Sequence, residues 1–252
     1  MSISSKCNLK CIICFNWNKK ENKINIHNIP YSKCEKLVIQ GGEPFLYPED
    51  MIEMINRISF DSIQIISNGT IINEKILALL NTYKNTQITF SIDGIGTTND
   101  YVRFGSNFTS LIDNIKFITN KYKNIKYNIS YTATILNSIN ISKYLSKLFE
   151  LTKLKIYVNL LTEPKEYSVR NFDNNIKKKI INDVVKKYNV LKDITVDDSL
   201  VHFLKFLKKP NIKEKNSIIG LIESIDKNNN ISYKSFLDND TVKYLNTIEA
   251  IM

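Results

Sequence analysis

Short apolar segments alternate with amphipathic segments from the N-terminus to about residue 161. Five of the apolar segments are rich in β-branched residues and have the length of strands: 36–40, 63–66, 87–92, 126–135 and 155–161. Between them, apolar residues recur with a helical period in the segments 49–58, 73–83, 108–121 and 141–151. This alternation predicts βαβ units, whose strands form a parallel sheet.

A further short strand near residues 1–5 brings the predicted number of βα units to six. Six strands are too few to close an eight-stranded barrel, so the sequence predicts an α/β fold of the partial (β/α)6 TIM-like barrel type. Beyond about residue 190, polar stretches separate three helical segments, 201–207, 217–225 and 241–251. We therefore expect a partial-barrel core over residues 1–189 and a short, mostly helical C-terminal cap or extension over residues 190–252.

Glycine is scarce in this chain, and its positions mark the ends of the predicted strands. Seven glycines occur among 252 residues, and six of them lie between positions 41 and 105. The pair Gly41-Gly42, Gly69 and Gly94 each follow a predicted strand. Right-handed crossovers place the carboxyl ends of parallel strands on one rim, where barrel folds hold their sites. We therefore expect these turns to belong to a functional site.

Three of the four cysteines lie within eight residues, in the string CNLKCIIC. In a reducing compartment such a group indicates metal binding or catalysis rather than disulfides. Iron–sulfur clusters are bound by cysteine thiolates. Cys7, Cys11 and Cys14 can hold three irons of a [4Fe–4S] cluster and leave the fourth iron open to a small chelating ligand, much as catalytic zinc sites keep one open position.

Two other interpretations fit the same spacing. Positions 7, 11 and 14 lie on one face of a helix, so the three cysteines could simply pack in a core. Alternatively, Cys34 or His27 could complete a tetrahedral zinc site, although the second C-x2-C pair that is usual for such sites is missing.

The string Gly41-Gly42-Glu43-Pro44 directly follows the strand predicted at 36–40. Two glycines allow a ligand to come close to the backbone, and the neighbouring carboxylate can accept hydrogen bonds from an ammonium group. Alone, this string is compatible with any strand-to-helix turn. Because it follows the segment with the three cysteines, residues 7–14, the string becomes a specific signal for a functional site.

Together, the cysteine segment and this turn resemble the radical S-adenosylmethionine (SAM) superfamily, over roughly residues 7–161. The resemblance implies that Cys7, Cys11 and Cys14 bind a [4Fe–4S] cluster, whose fourth iron is chelated by the methionine part of SAM. It also implies that the stretch Gly41, Gly42 and Glu43 holds the amino group of SAM. In this family the reduced cluster cleaves SAM to methionine and a 5′-deoxyadenosyl radical, which abstracts a hydrogen from the substrate.

The strand predicted at 87–92 and the segment after it are similar to one branch of that family. The string Ser91-Ile92-Asp93-Gly94 is followed by Arg103, as in the peptide-modifying branch that often carries a SPASM or twitch extension. By this likeness Ser91 binds the SAM ribose and Arg103 meets the SAM carboxylate. The ordinary roles remain open as well: Ser91 and Asp93 can cap a turn, and Arg103 can pair with Asp100.

The same likeness assigns weaker cofactor roles to two later positions. Asn137 and the backbone near Leu160 are candidates for contacts with the ribose and the adenine, although Asn137 can equally cap a helix. The chain departs from the family pattern at Ile13, where an aromatic residue is usual, and in its short first strand. No cysteine follows Cys34, so no second cluster is expected.

Charge and hydropathy add few constraints. The net charge of +10 comes from 35 basic and 25 acidic side chains spread along the chain, so it predicts no nucleic-acid partner. No run of about 18 apolar residues occurs, and the first residues lack an apolar signal core. We therefore expect a cytoplasmic protein without membrane contact.

The sequence as a whole predicts an enzyme that cleaves SAM reductively and abstracts a hydrogen from its substrate. We expect a peptide or protein side chain as the substrate and an external electron donor as a partner. No general acid or base is identified. The alternatives are a protein that binds a cluster and SAM without turnover, and a zinc-stabilised binding module.

Overall fold

The computed structural model describes residues 1–14, 20–29, 32–212 and 215–250, without the side chains of His27, Lys215 and Asn216. The chain divides into two compact units. The first contains residues 1–10, 14–91 and 105–129, and the second contains residues 11–13, 92–104 and 130–252. The division expected between residues 189 and 190 stays a prediction.

In the described part of the chain, five strands form one sheet in the order β1-β2-β3-β4-β5. Their bounds are Ser32–Ile39 (β1), Ile58–Ser67 (β2), Thr86–Ser91 (β3), Ile125–Ala133 (β4) and Lys155–Leu160 (β5). β2 pairs in parallel with both β1 and β3, so that Lys36 lies opposite Ser62 and Gln64 lies opposite Gln87. Each strand overlaps a predicted segment, and the sheet follows the order of the chain, as expected of successive βα units.

The first of the six predicted strands is reduced to a single bridge. Ser2 forms a parallel bridge with Gln40, just beyond β1, whereas Ser4 forms an antiparallel bridge with Lys23. The next backbone N–H, that of Ser5, donates to the carbonyl of Asn22 at 3.0 Å. Because the chain exchanges one partner for another within two residues, no regular ladder with β1 develops.

Helices follow the strands. Their bounds up to β5 are Pro48–Arg57 (α1), Glu74–Leu80 (α2), Thr97–Val102 (α3), Phe108–Lys121 (α4) and Ile141–Thr152 (α5). α4 has the predicted bounds because the Asn107 side chain caps it by accepting from the N–H of Ser110, while Leu111, Ile115 and Ile118 bury one face. The short α3 was not predicted.

The C-terminal part is mostly helical, as predicted. Its helices are Asn174–Lys186 (α6), Tyr188–Ile194 (α7), Ser199–Leu207 (α8), Lys215–Asn229 (α9), Tyr233–Phe236 (α10) and Asn239–Glu249 (α11). Residue 251, the predicted end of the last helix, lies outside the described residues. In the part of the chain that the structure describes, every helix is too short or too polar to cross a bilayer.

Each unit has an apolar core. In the first unit, Ile63, Ile65 and Phe90 of the strands and Met51 and Met54 of α1 are at most 1% exposed. In the second, the fully buried residues include Tyr131, Ile156, Leu145, Phe172 and Phe203. Burial of each large apolar side chain contributes about 1.5–3 kcal/mol. These cores hold the strand ends, and the turns that follow them, in place.

Candidate cluster and cofactor site

The three clustered cysteines are thiols. Cys7 and Cys14 are half-buried and belong to the first unit, whereas Cys11 is buried and belongs to the second. Cys34, the fourth cysteine, lies within β1. The structure does not describe the His27 side chain, so the zinc set that includes it lies outside the described residues.

Main-chain hydrogen bonds tie the residues before Cys7 to the turn that follows β1. The N–H of Gly42 donates to the carbonyl of Ser4, and the N–H of Glu43 donates to the carbonyl of Lys6, both at 2.9 Å. A Cβ atom on Gly42 would lie 1.8 Å from the carbonyl oxygen of Lys6. Glycine is therefore required here for close backbone approach, and what approaches is the cysteine segment.

The carboxylate of Glu43 is buried inside the first unit. It accepts hydrogen bonds from the N–H of Phe45 at 3.1 Å, from Ser67 Oγ at 2.9 Å and from the N–H of Asn68 at 2.7 Å. Its residue is 1% exposed. The side chain thus fastens the turn after β1 to the turn after β2, through charge-assisted hydrogen bonds of the strong kind.

The turn after β2 carries a side chain that reaches a cysteine. Asn68 donates from Nδ2 to Cys7 Sγ at 3.7 Å and to Asn8 Oδ1 at 2.9 Å. Asn8 in turn donates to Thr70 Oγ1 at 2.9 Å. Gly69 marks this turn in the sequence, but nothing local in the sequence shows which residue the amide of Asn68 faces.

A second polar group joins Ser4 and the residues that follow the turn after β1 to Glu21 and Lys23. Tyr47 and Ser4 both donate to the carboxylate of Glu21, and Lys23 forms an ion pair with Asp50 at 2.6 Å. The hydrogen bond from Tyr47 lowers the pKa of Glu21, and burial raises the pKa of Tyr47. At neutral pH, Glu21 is therefore an anion and Tyr47 a neutral donor. These bonds fix the segment that returns from the cysteines.

In the second unit, Arg103 forms an ion pair with Asp93. Arg103 Nη1 lies 2.7 Å from Asp93 Oδ2, with side chains that are 13% and 0% exposed. The other carboxylate oxygen accepts from the N–H of Thr132 at 2.6 Å, and the N–H of Asp93 donates to Asn99 Oδ1 at 3.0 Å. From the sequence, Asp100 was the protein side chain expected to pair with Arg103.

Asn137 is fully buried next to this pair. Its Nδ2 donates to the carbonyls of Asp93 and Thr132 at 2.9 Å each, and its Oδ1 accepts from the N–H of Thr134 at 2.8 Å. The side chain thus braces the turn after β3 against the end of β4. α5 begins at Ile141 after Asn140, so Asn137 is not its cap.

The remaining predicted contacts lie at strand ends. Ser91 is the last residue of β3 and Leu160 is the last residue of β5, and both are half-buried. Their positions agree with a rim site in each unit. The cofactor roles of Ser91, Arg103, Asn137 and Leu160 stay predictions.

The donor set fits an iron–sulfur cluster. Among the described residues, no three His, Cys, Asp or Glu side chains converge on a single point that could hold one metal ion. A cubane cluster takes its thiolates on different irons, so its ligands need not converge in this way. The close contact at Gly42 fixes the residue before Cys7, and the amide of Asn68 faces the Cys7 thiol.

Comparison with known proteins agrees with these observations. A sequence profile of the radical SAM superfamily matches residues 1–145. A cysteine-type anaerobic sulfatase-maturating enzyme from Clostridium novyi (strain NT) is 31% identical over 180 residues, which cover 60% of this chain and 46% of that enzyme. The chain thus spans about half the length of this curated relative.

Solved structures share the fold. Native anSMEcpe with bound AdoMet is 22% identical, with a TM-score of 0.56, over 77% of this chain and 61% of that one. SuiB of Streptococcus suis, bound to the precursor peptide SuiA, is 19% identical, with a TM-score of 0.54, over 77% of this chain and 46% of that one. These likenesses confirm the predicted fold class, a partial α/β barrel with a helical C-terminal part.

The profile spans the cysteine segment, the turn at Gly41–Glu43 and the Asp93–Arg103 pair, and it covers more than half of the chain. The cofactors of this family are a [4Fe–4S] cluster and SAM. The chain belongs to the radical SAM superfamily.

Proposed function

We propose that this chain is an enzyme that binds a [4Fe–4S] cluster through Cys7, Cys11 and Cys14, cleaves SAM reductively and abstracts a hydrogen from a peptide or protein side chain. An external donor supplies the electron. When bound, the cluster and SAM provide the radical chemistry, and the protein binds, orients and shields them.

One observation carries the proposal. The buried Glu43 carboxylate holds the turns after β1 and β2 together, and these turns contact Cys7 and the residue before it. The first turn does so through the N–H of Glu43, which donates to Lys6 O, and the second through the amide of Asn68, which reaches Cys7 Sγ. A protein that used Cys7 only for packing would not need a buried charge to fix two loops around it.

The residues divide into ligands and positioning groups. The backbone of Gly41 and Gly42 borders the position proposed for the amino group of SAM. Glu43 acts through that turn, because its carboxylate is already engaged by protein donors. In the second unit, Arg103 provides a cation for the SAM carboxylate, and Asp93 holds its guanidinium in place.

A peptide is the substrate class that the relatives favour. The first relative is named a sulfatase-maturating enzyme, and SuiB was solved with a precursor peptide. In the first unit of this chain, a cavity of about 230 Å³ opens on polar side chains of neighbouring strands. The polar residues that line it include Lys36, Ser62, Gln64, Asn85, Gln87 and Lys126.

The side chains that line this cavity carry a positive charge. Lys36 and Lys126 both face the cavity, and no carboxylate occurs among its described lining residues. Two ammonium groups on one cavity favour an anionic ligand, because an anion relieves the repulsion between the two like charges.

The cavity lies at the start of β3, whereas the turns around the cysteine segment follow the ends of strands. β3 has six residues, so its two ends lie about 20 Å apart. An extended peptide covers that distance in roughly six residues. We infer that the substrate peptide carries an acidic side chain at least about six residues away from the residue that is modified.

The decisive experiment is anaerobic. The protein is reconstituted with iron and sulfide, reduced, supplied with SAM and assayed for 5′-deoxyadenosine. We expect the nucleoside from the wild type and from Cys34→Ala, and none from Cys11→Ala. A four-iron cluster with intact SAM would instead support binding without turnover. Zinc in place of iron would support the zinc-stabilised module and overturn the proposal.

A further inference from the structure

The middle of the cysteine segment is hydrogen-bonded to the end of α3, within the second unit. The N–H of Ile12, the residue after Cys11, donates to the carbonyl of Val102 at 2.9 Å. Cys11 and Ile12 are each 7% exposed, and Val102 is fully buried. This hydrogen bond therefore couples the backbone next to Cys11 to the end of α3.

α3 is a helix that depends on its neighbours. It has six residues, and its N-cap is Gly96, which offers no side chain to accept from the first turn. Helices of this length are not stable by themselves in water. Contacts with other elements must therefore set the position of α3, and with it the position of Val102.

The C-terminal helices supply several of those contacts. Tyr101 OH donates to Asp226 Oδ1 at 2.8 Å, from α3 to α9, and Thr97 Oγ1 donates to the carbonyl of Phe236 at 2.7 Å. Asp226 also accepts from the N–H of Tyr233 through its other oxygen, at 2.7 Å, so it joins α9 to α10 as well. The rings of Tyr101 and Phe236 are in contact.

The hydrogen bond from Tyr101 to Asp226 is partly buried, with its donor in the core. Tyr101 is fully buried, and burial, aided by the bond to Asp226, holds the pKa of its hydroxyl well above its ordinary value. The hydroxyl is therefore always protonated and can act as the donor. A buried donor or acceptor that loses its partner is costly, so this pair selects one position of α3 against α9.

We propose that Tyr101 and Asp226 are positioning residues for the cluster: through α3 and Val102, they let the C-terminal helices hold the backbone at Cys11 in the conformation that binds iron. This inference rests on the proposed role of Cys11 as a ligand. It gives the region after residue 190 a function in the site, beyond covering apolar surface.

The test begins with the protein before cluster reconstitution. Cys11 is buried, so its alkylation reports local opening of the segment, and the rate at Cys34, measured by peptide mapping in the same sample, serves as the internal reference. Tyr101→Phe should raise the Cys11 rate relative to Cys34 about five-fold, the effect of one lost intramolecular hydrogen bond. The same substitution made in Asp226→Ala should add nothing further.

Tyr244→Phe is the matched control. It removes another hydroxyl from a buried tyrosine of the second unit, one that donates to the carbonyl of Asn171 at 3.1 Å. This variant should leave the Cys11 rate unchanged. An equal effect of both variants, or no effect of Tyr101→Phe, would overturn the inference.

A second measurement separates this inference from the proposed function. After reconstitution and reduction, Tyr101→Phe should alter the electron paramagnetic resonance spectrum of the cluster or lower its iron content, whereas Tyr244→Phe should match the wild type. If the wild type binds no iron, the proposed function fails while the alkylation result stands. If the wild type binds four irons and both variants do so with the same spectrum, the positioning role fails alone.

Discussion

The side-chain amide of Asn68 points its Nδ2 at the sulfur of Cys7, 3.7 Å away. That distance suits a hydrogen bond to sulfur, which is longer than one to oxygen. The neighbouring Asn8 and Thr70 hold the amide in this orientation through bonds of 2.9 Å each. Hydrogen bonds to ligand sulfurs are one of the factors that set the reduction potential of an iron–sulfur cluster.

Removal of this amide should make the cluster harder to reduce. Asn68→Ala takes away a donor that stabilises the more negative, reduced state, so the midpoint potential should fall by roughly tens of millivolts. A redox titration of the reconstituted protein, followed by electron paramagnetic resonance, measures the change. Asn114→Ala is the control, because Asn114 binds the carbonyls of Gly69 and Thr70 in the same turn. Equal shifts in the two variants would assign the effect to the turn, not to the sulfur.

Loss of the charge on Glu43 should destabilise the first unit. In Glu43→Gln one carboxylate oxygen becomes an NH2 group that faces the donors on Ser67, Asn68 or Phe45, so at least one buried donor loses its acceptor. We expect a loss of about 1–3 kcal/mol in the free energy of unfolding, measured with urea. Glu35→Gln, at an exposed position of β1, should change it by less than about 0.5 kcal/mol. Similar losses in both variants would contradict the role given to Glu43.

The Asp93–Arg103 pair should behave as a buried ion pair. Asp93→Asn leaves the guanidinium without its counter-charge, at an expected cost of about 3–5 kcal/mol in urea unfolding of the cluster-free protein. Asp183→Asn breaks the partly exposed pair with Lys187 at 2.8 Å, which should cost at most about 1 kcal/mol. A loss in Asp93→Asn no larger than that of the control would show that the pair is solvated in solution.

The two lysines of the polar cavity should set substrate preference. Replacement of both Lys36 and Lys126 by Gln should raise KM for an acidic peptide about ten-fold or more and leave kcat nearly unchanged, since only binding is affected. Lys33→Gln is a control on the opposite face of β1, because side chains alternate along a strand. The peptides are a matched pair that differ only by Glu against Gln at the distant position. An equal rise in KM for the Glu peptide and the Gln peptide would refute charge recognition.

Much of the fold follows from local pattern. α4 has the predicted bounds because its cap and its apolar face are both encoded within its own residues. α3 was missed because six residues give too little periodicity, and the contacts that hold it include the bond between Tyr101 and Asp226, which lie far apart in the sequence. The first strand was expected and is only a bridge, because Ser4 pairs with Lys23 instead of continuing along β1.

The candidate site shows the same limit. The cysteine spacing and the turn at Gly41–Glu43 are contiguous strings, so the sequence was enough to single them out. The partners of Glu43, Asp93 and Asn68 belong to other strands, and which of them meet depends on strand register. The place of Glu43 in the stretch predicted to hold the SAM amino group stays a prediction, and its carboxylate accepts from three protein donors that the sequence did not identify.

The contact between Gly42 and Lys6 affects how the results of a mutational scan of this protein should be interpreted. A single methyl group at position 42 would overlap the carbonyl of the residue that precedes Cys7. Every substitution at position 42 should therefore reduce activity as much as the loss of a cysteine does, although position 42 contributes no side chain to any cofactor. The scan would therefore suggest that position 42 binds a cofactor, although glycine is needed there only because it has no side chain. Only a structure distinguishes these two reasons for intolerance.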